Sequence, residues 1–456
     1  MLFTTKWLTG FLPDYKGRAE EEIGIEKVVT DSRTKTANSL FVPIIGENFD
    51  GHDYVKEAVD NGAKAVLWSK ERELPLFLST AFPVFFVEDT ITALQKMASR
   101  YRELINPIVV GITGSNGKTT TKDLVAAMLE TTYHTHYTDG NFNNHIGLPL
   151  TVLSMERGTE ALVLEMGMSD FGEIDLLAKI ARPDYAIITN IGESHIEFLG
   201  SRKGISEAKL EILNGLKDGG YAIIDGDEAL LKHIHNQANV ITCGYGESNM
   251  VKINHVEISL KFTTFDLSDR HTYKVPLLGK HHAQNAAYAI TLGDHLGIGK
   301  DKQQKALLSL KLTSMRFEMV KGPNEVAIIN DAYNASPTSM KAAIEVVKQM
   351  SGFTDKVLVL GDVLELGEHS KELHRSVADC IEAPVNVLFT FGNDARYILE
   401  SVQENEQAIL CKHFVSKEEL IEALRDFLKK DSLLLFKASR GLEFESLIEE
   451  IIRTSN

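Results

Sequence analysis

Ile108-Val109-Val110-Gly111-Ile112-Thr113-Gly114-Ser115-Asn116-Gly117-Lys118-Thr119-Thr120 reads as an apolar strand that runs straight into a glycine turn. Lys122-Asp123-Leu124-Val125-Ala126-Ala127-Met128-Leu129 follows with the spacing of an amphipathic helix. Strand, glycine turn and helix in that order make an anion site. The glycines let backbone N–H groups turn inward, and the helix N-terminus adds positive potential. Lys118 supplies a fixed charge, and the Thr119 hydroxyl suits Mg²⁺. The strict GxxxxGK[ST] spacing is not met, because Ile112 stands where the first glycine belongs. Residues 113–120 are expected to hold the phosphates of a nucleotide.

Outward from this loop the chain reads as three α/β domains: 1–88, 89–313 and 314–456. In the first, Lys27–Val29, Ser39–Val42, Ala65–Trp68 and Val84–Val87 are short apolar strands, and residues 54–59 have helical spacing. The second opens with a helix, Thr90–Tyr101, before the phosphate-loop strand. Further strands are expected at Ala161–Leu164, Ala186–Ile188 and Tyr221–Ile224, with helices between them. Apolar strands separated by helices indicate a parallel sheet covered on both faces. From Val251 to Pro276 the pattern alternates (Val256, Ile258, Leu260, Phe262), which predicts an antiparallel flap on the sheet edge. In the third domain, strands at Val326–Ile329, Lys356–Leu360, Val387–Phe389 and Leu433–Phe436 alternate with helices such as 418–428. That pattern is a second doubly wound, Rossmann-like unit, but no GxGxxG follows its first strand.

Composition narrows the function. The 456 residues carry 48 Lys plus Arg and 64 Asp plus Glu, a net charge of −16. That balance disfavours a general nucleic-acid or anionic-membrane binder. Cys243, Cys380 and Cys411 lie far apart, so neither a zinc site nor a disulfide framework is expected, and a reducing, cytoplasmic compartment is. There is no evident signal peptide and no apolar run long enough to cross a bilayer.

In open parallel sheets ligands bind beyond the carboxyl ends of the strands. Thr119 follows one such strand, Glu165 ends another, and His195 comes shortly after Ile187-Ile188 in Asn190-Ile-Gly-Glu-Ser-His195. Hydroxyl, carboxylate and imidazole together could hold hard cations against phosphates. Taken singly, Glu165 could equally be a surface salt-bridge partner and His195 a loop histidine. Lys209 by itself reads as a solvated helix charge. The run Asp362–Glu368 could be a solvated acidic loop, and Ser336-Pro337 reads as the cap and first residue of a helix.

These residues resemble the Mur ligase family. The resemblance is carried by residues 113–120, Glu165-Met166-Gly167, Gly192-Glu193-Ser194-His195, Ala208-Lys209-Leu210-Glu211-Ile212 and Asn285 in Gly279–Asn285. Asp331–Pro337, Gly361–Gly367 with His374, and Gly140–Asn144 extend it. It implies an ATP-dependent amide ligase of peptidoglycan synthesis that activates a carboxylate as an acyl phosphate. The expected substrates are UDP-N-acetylmuramoyl-tripeptide and D-alanyl-D-alanine, the cofactors ATP and Mg²⁺, and the state a monomer.

By the same resemblance, Thr113, Gly114, Ser115, Asn116, Gly117, Lys118, Thr119 and Thr120 would hold the phosphates. Thr119 with Glu165 would serve one Mg²⁺, and His195 a second, bridged by Lys209 after carbamylation. Asn285 would contact adenine, and Arg316 and Asp331 would reach the nucleotide from the last domain. Ser32, Arg33, Asn48 and His52 would hold the UDP-sugar, while Asn143, Asn144, Tyr333 and Asn334 would lie near the peptide and the incoming dipeptide. Two departures stand out. His281-His282 replaces the family's usual His-Asn, and Lys437-Ala438-Ser439 replaces Lys-Gly-Ser, where alanine takes positive φ less easily than glycine. A different amine acceptor, as in folylpolyglutamate or cyanophycin synthesis, and a non-synthetic P-loop NTPase are the competing readings.

Overall fold

The computed structural model describes residues 1–259, 261–268, 270–310, 315–405 and 408–453. Leu260 of the alternating run and the expected boundary at 313/314 lie outside them. Three sheets dominate. The first unit has five strands in the order Tyr15–Lys16, Val84–Val87, Ala63–Ser69, Ser39–Phe41, Lys27–Val29, all parallel except Tyr15–Lys16. A separate antiparallel pair, Phe3–Thr4 with Gly24–Ile25, was not foreseen, since two-residue strands have no periodicity to read.

The helix expected at Thr90–Tyr101 runs from Thr90 to Ile105. Asp89 caps it by accepting Thr92 N–H at 2.6 Å, and Asn106 ends it in the left-handed conformation. Its buried Tyr101 hydroxyl donates to Met155 O at 2.8 Å, which ties this helix to the central unit.

The central sheet has nine strands. Ile108–Thr113 lies third from one edge, between Tyr185–Ile188 and Ala161–Glu165, parallel to both. The chain leaves Ile108–Thr113 for the edge strand Thr135–Tyr137, returns through Ala161–Glu165, and then crosses to Tyr185–Ile188 on the other side. The strand order therefore reverses at the phosphate-loop strand, which opens a crevice at its carboxyl end.

The flap differs from expectation in one respect. Val251–Ile258 joins the sheet parallel to Val240–Gly244, and only Thr263–Leu267 and Thr272–Val275 continue antiparallel. Residue alternation reports one solvated face and is silent on strand direction.

The last sheet runs Glu318–Lys321, Ala327–Asn330, Ser432–Lys437, Asp355–Gly361, Val387–Phe391, Leu410–Phe414, parallel except for the first strand. Leu433 and Leu435 pack on one face with Met340 and Ile344, while Leu434 and Phe436 pack on the other with Leu420 and Leu447. This period of two over a fully buried strand is what a sheet covered on both sides requires. Ala438 needs no left-handed backbone: it is absent from the positive-φ residues and fully buried. Its Cβ fills the space above Gly361, where a second Cβ would come within 2.7 Å. No helix among the described residues is long and apolar enough to cross a membrane.

Candidate active site

The phosphate loop is held by the neighbouring strand end. Ser115 N–H donates to Asn190 O at 3.1 Å, Asn116 N–H to Asn190 Oδ1 at 3.0 Å, and Thr189 Oγ1 to Asn116 O at 2.6 Å. Gly114 has φ +150°, and a Cβ there would sit 1.8 Å from Thr189 Oγ1, so only glycine fits. Gly117, at φ +78°, precedes the Lys118–Glu130 helix and backs onto the Asn285 amide. Lys118 curls over the loop and donates to Gly114 O at 2.8 Å. Burial lowers its pKa, with Glu165 opposing and Arg316 adding to the shift.

Glu165, 3% exposed, ends its strand with both oxygens engaged. Thr119 Oγ1 donates to Oε2 at 2.7 Å and Asn143 Nδ2 to Oε1 at 2.8 Å. It is therefore an inner-site carboxylate, not a surface ion-pair partner. Lys209 likewise departs from the solvated reading: it is 1% exposed, and no hydrogen bond or ion pair to its ammonium is found among the described residues. Burial, reinforced by the charge of Lys118, drives its pKa well down.

The last unit closes over this loop. Arg316 lies over the Tyr333 ring, 4.2 Å from its centroid, between Met315 and Phe317, both at positive φ. Asp331 accepts from buried Lys437 at 2.6 Å and from Phe317 N–H at 3.1 Å. Lys437 also donates to Asn334 O at 3.1 Å. Ser336 Oγ reaches across to Asn116 Oδ1 at 2.9 Å, and Thr338 Oγ1 to Glu193 Oε2 at 2.7 Å.

A cavity of about 540 Å³ results. It brings together Ser115 to Thr120, Asn143, Asn144, Glu165, His195, Asn285, Arg316, Asp331, Tyr333 and Asn334. Thr113 and Gly114 shape the loop from beneath, and Lys209 is not among the lining residues. The His281 and His282 rings lie tilted against each other with centroids 4.0 Å apart, beside Asn285, and burial holds His281 down at about 4. Sequence reasoning named Lys437 and Ser336 without giving either a contact in the site, and passed over Thr338 and a role for Glu193. Ser336 and Thr338 look like ordinary helix-start residues until a second domain lies against them.

The first-unit residues stand apart from this cavity. Arg33 is paired in a fork with Asp31 and borders a shallow depression with Tyr54 and Lys56, while Ser32 donates to Glu57 at 2.6 Å. Asn48 is exposed. His52 is different: it is buried, its Nδ1 meets Asp50 at 2.6 Å, and its Nε2 accepts Ser69 N–H at 3.3 Å. With both nitrogens engaged, it braces its own loop and has no polar atom to offer a ligand.

Among the described residues, no three His, Cys, Asp or Glu side chains converge as a complete metal cage. The Thr119–Glu165 pair offers hard oxygen donors that suit Mg²⁺, an ion usually held by one or two protein ligands together with substrate phosphates.

The chain matches three family models end to end. "Mur ligase family, catalytic domain" covers residues 24–102, "Mur ligase middle domain" 112–293, and "Mur ligase, glutamate ligase domain" 315–440. It is 45% identical over 436 residues to the UDP-N-acetylmuramoyl-tripeptide--D-alanyl-D-alanine ligase of Bacillus subtilis, covering 95% of this chain and 94% of that one. It is 31% identical over 444 residues to the Escherichia coli enzyme of the same name, with 94% of each covered. Among solved structures, MurF from Acinetobacter baumannii superposes with a TM-score of 0.88 at 29% identity, over 99% of both chains. MurF ligase from Thermotoga maritima in complex with ADP gives 0.84 at 30% identity, over 95% of this chain and 99% of that one.

Proposed function

The chain belongs to the Mur ligase family, and from that premise we propose how its own residues carry the family's reaction. It is an ATP-dependent ligase of peptidoglycan synthesis that joins D-alanyl-D-alanine to UDP-N-acetylmuramoyl-tripeptide, forming ADP and phosphate. The observation that carries the assignment of roles is the single cavity in which the phosphate loop and Glu165 face Arg316 and Asp331 of the last unit.

A carboxylate is a poor acyl donor. Transfer of the ATP γ-phosphoryl group to it gives an acyl phosphate, from which phosphate can leave. Lys118 and the N–H groups at the start of its helix hold the phosphates and stabilise charge on the moving group. To do so Lys118 exchanges Gly114 O for a phosphate oxygen. Arg316, fixed over Tyr333, adds positive charge from the opposite wall, and Asn285 abuts the loop where the nucleoside would continue.

Mg²⁺, held by Thr119 and Glu165 with His195 nearby, would neutralise phosphate charge. Burial disfavours the charged form of Lys209, and its amine, on adding CO₂ and losing a proton, would become a carbamate, an anionic oxygen donor. Asn143, Asn144, Tyr333 and Asn334 line the part of the cavity left for the peptide carboxylate and the entering amine. That amine attacks the acyl carbon, and phosphate departs from the tetrahedral intermediate. Closure by the last unit keeps water from the acyl phosphate first.

We assign residues 1–88 to the UDP-sugar, with Ser32, Arg33 and Asn48 at the contact and His52 as a brace. Residues 89–313 serve ATP and residues 314–456 the incoming dipeptide. The enzyme acts as a monomer in the cytoplasm.

The test is phosphate release from ATP and Mg²⁺ with UDP-N-acetylmuramoyl-tripeptide, with and without D-alanyl-D-alanine. Release is expected to need both, with a product heavier by one dipeptide unit. Release indifferent to both would overturn the proposal.

A further inference from the structure

The segment 193–197, which carries His195, is gripped from two sides by the last unit. On one side Thr338 donates to both Glu193 carboxylate oxygens, at 2.7 and 3.0 Å. On the other, the Glu365 carboxylate meets His195 Nδ1 as an ion-pair contact outside the line of a good hydrogen bond. The Glu365 carbonyl accepts Glu197 N–H at 3.3 Å. Gly367, at φ +52°, lies so close that a Cβ would come 3.0 Å from Glu197 Cγ.

The arm that presents Glu365 is rigid at its base. Asp362 is buried and accepts three backbone N–H groups, from Asn393 at 2.7 Å, Asp394 at 2.9 Å and Ala395 at 2.7 Å. Val363 N–H donates to His374 Nε2 at 3.0 Å and Leu364 N–H to Ser439 Oγ at 2.9 Å. Beyond these anchors the chain turns through left-handed Glu365, φ +61°, to face left-handed His195, φ +64°. Two non-glycine residues in that conformation, opposed across one contact, indicate a geometry maintained for function.

We propose that Glu365 is a positioning residue that couples docking of the last unit to the placement of the His195 imidazole. A carboxylate packed against Nδ1 restrains the orientation of the ring. The site is thus assembled only when the last unit is seated, so an undocked enzyme leaves His195 unset. The proposal deepens the ligase reading and rests on it for the meaning of His195.

Glu365 is half-exposed, so its replacement leaves the core intact. Glu365→Ala is expected to lower kcat by about tenfold or more, with the ligand-free unfolding temperature close to wild type. The compaction seen by solution scattering on adding a non-hydrolysable ATP analogue should weaken. Glu365→Gln, which keeps the length of the side chain and an oxygen to place against Nδ1, should restore most of the compaction and part of kcat. Unchanged kcat and compaction in the alanine variant would overturn the proposal, as would a kcat loss accompanied by an equal loss of thermal stability. If wild type itself released phosphate without regard to D-alanyl-D-alanine, the ligase reading would fail, while scattering with ATP analogue alone would still decide the coupling.

Discussion

Single residues in this site owe their character to burial and to one or two partners. Glu165 and Lys209 are both common surface residue types, and both are enclosed here. Asp225, at the end of the Tyr221–Asp225 strand, shows the same effect away from the phosphate loop. Burial pushes its carboxyl from the ordinary 3.8 up to about 6, against a hydrogen bond from Asp227 N–H at 3.0 Å. Between those values the folded state keeps a proton that the unfolded chain releases. Its favourable contribution is therefore complete below about pH 4 and lost as pH rises through about 6. Asp225→Asn cannot ionise and keeps an acceptor for Asp227. Its stability should gain on wild type as pH rises from about 4 to about 6, by at most about 3 kcal/mol at ~1.4 kcal/mol per pH unit, read as a pH-dependent difference in unfolding temperature. A difference independent of pH would show that Asp225 titrates normally.

At the scale of elements, several functional residues double as helix or loop ends. Ser336 caps the Pro337–Gln349 helix through a capping box with Ser339, and the same hydroxyl reaches Asn116. The sequence made the cap legible, because Ser-Pro before an apolar-periodic run has a local cause. The acidic run from Asp362 was not legible in this way. Sequence alone left it a possible solvated loop, yet Asp362 is buried as the common acceptor for the turn at 393–395. Asp362→Ala should cost about 2–3 kcal/mol, the scale of hydrogen bonds to a charged acceptor, read as a lowered thermal transition. A transition at the wild-type temperature would mean that water satisfies the turn equally well.

For the whole molecule, the nucleotide pocket exists only as a joint between the central and last units. Ligand affinity therefore reports docking, since a ligand stabilises the state it touches best. A double-mutant cycle of Glu193→Ala and Thr338→Ala should give a coupling of about 0.5–1 kcal/mol in ATP-analogue affinity. Strict additivity would show that this contact does not hold the units together. The sequence by itself determined the three-unit α/β organisation, the central strand and the phosphate loop. Each of these rests on local causes: apolar runs of strand length, glycines at forced backbone angles, and a helix N-terminus aimed at anions. Only the tertiary structure showed that Lys209 is buried, that both His52 ring nitrogens are engaged within its own unit, and that Thr338 meets Glu193, Glu365 meets His195 and Lys437 meets Asp331. Their roles depend on partners far away in the chain, and on a burial that no neighbouring residue encodes.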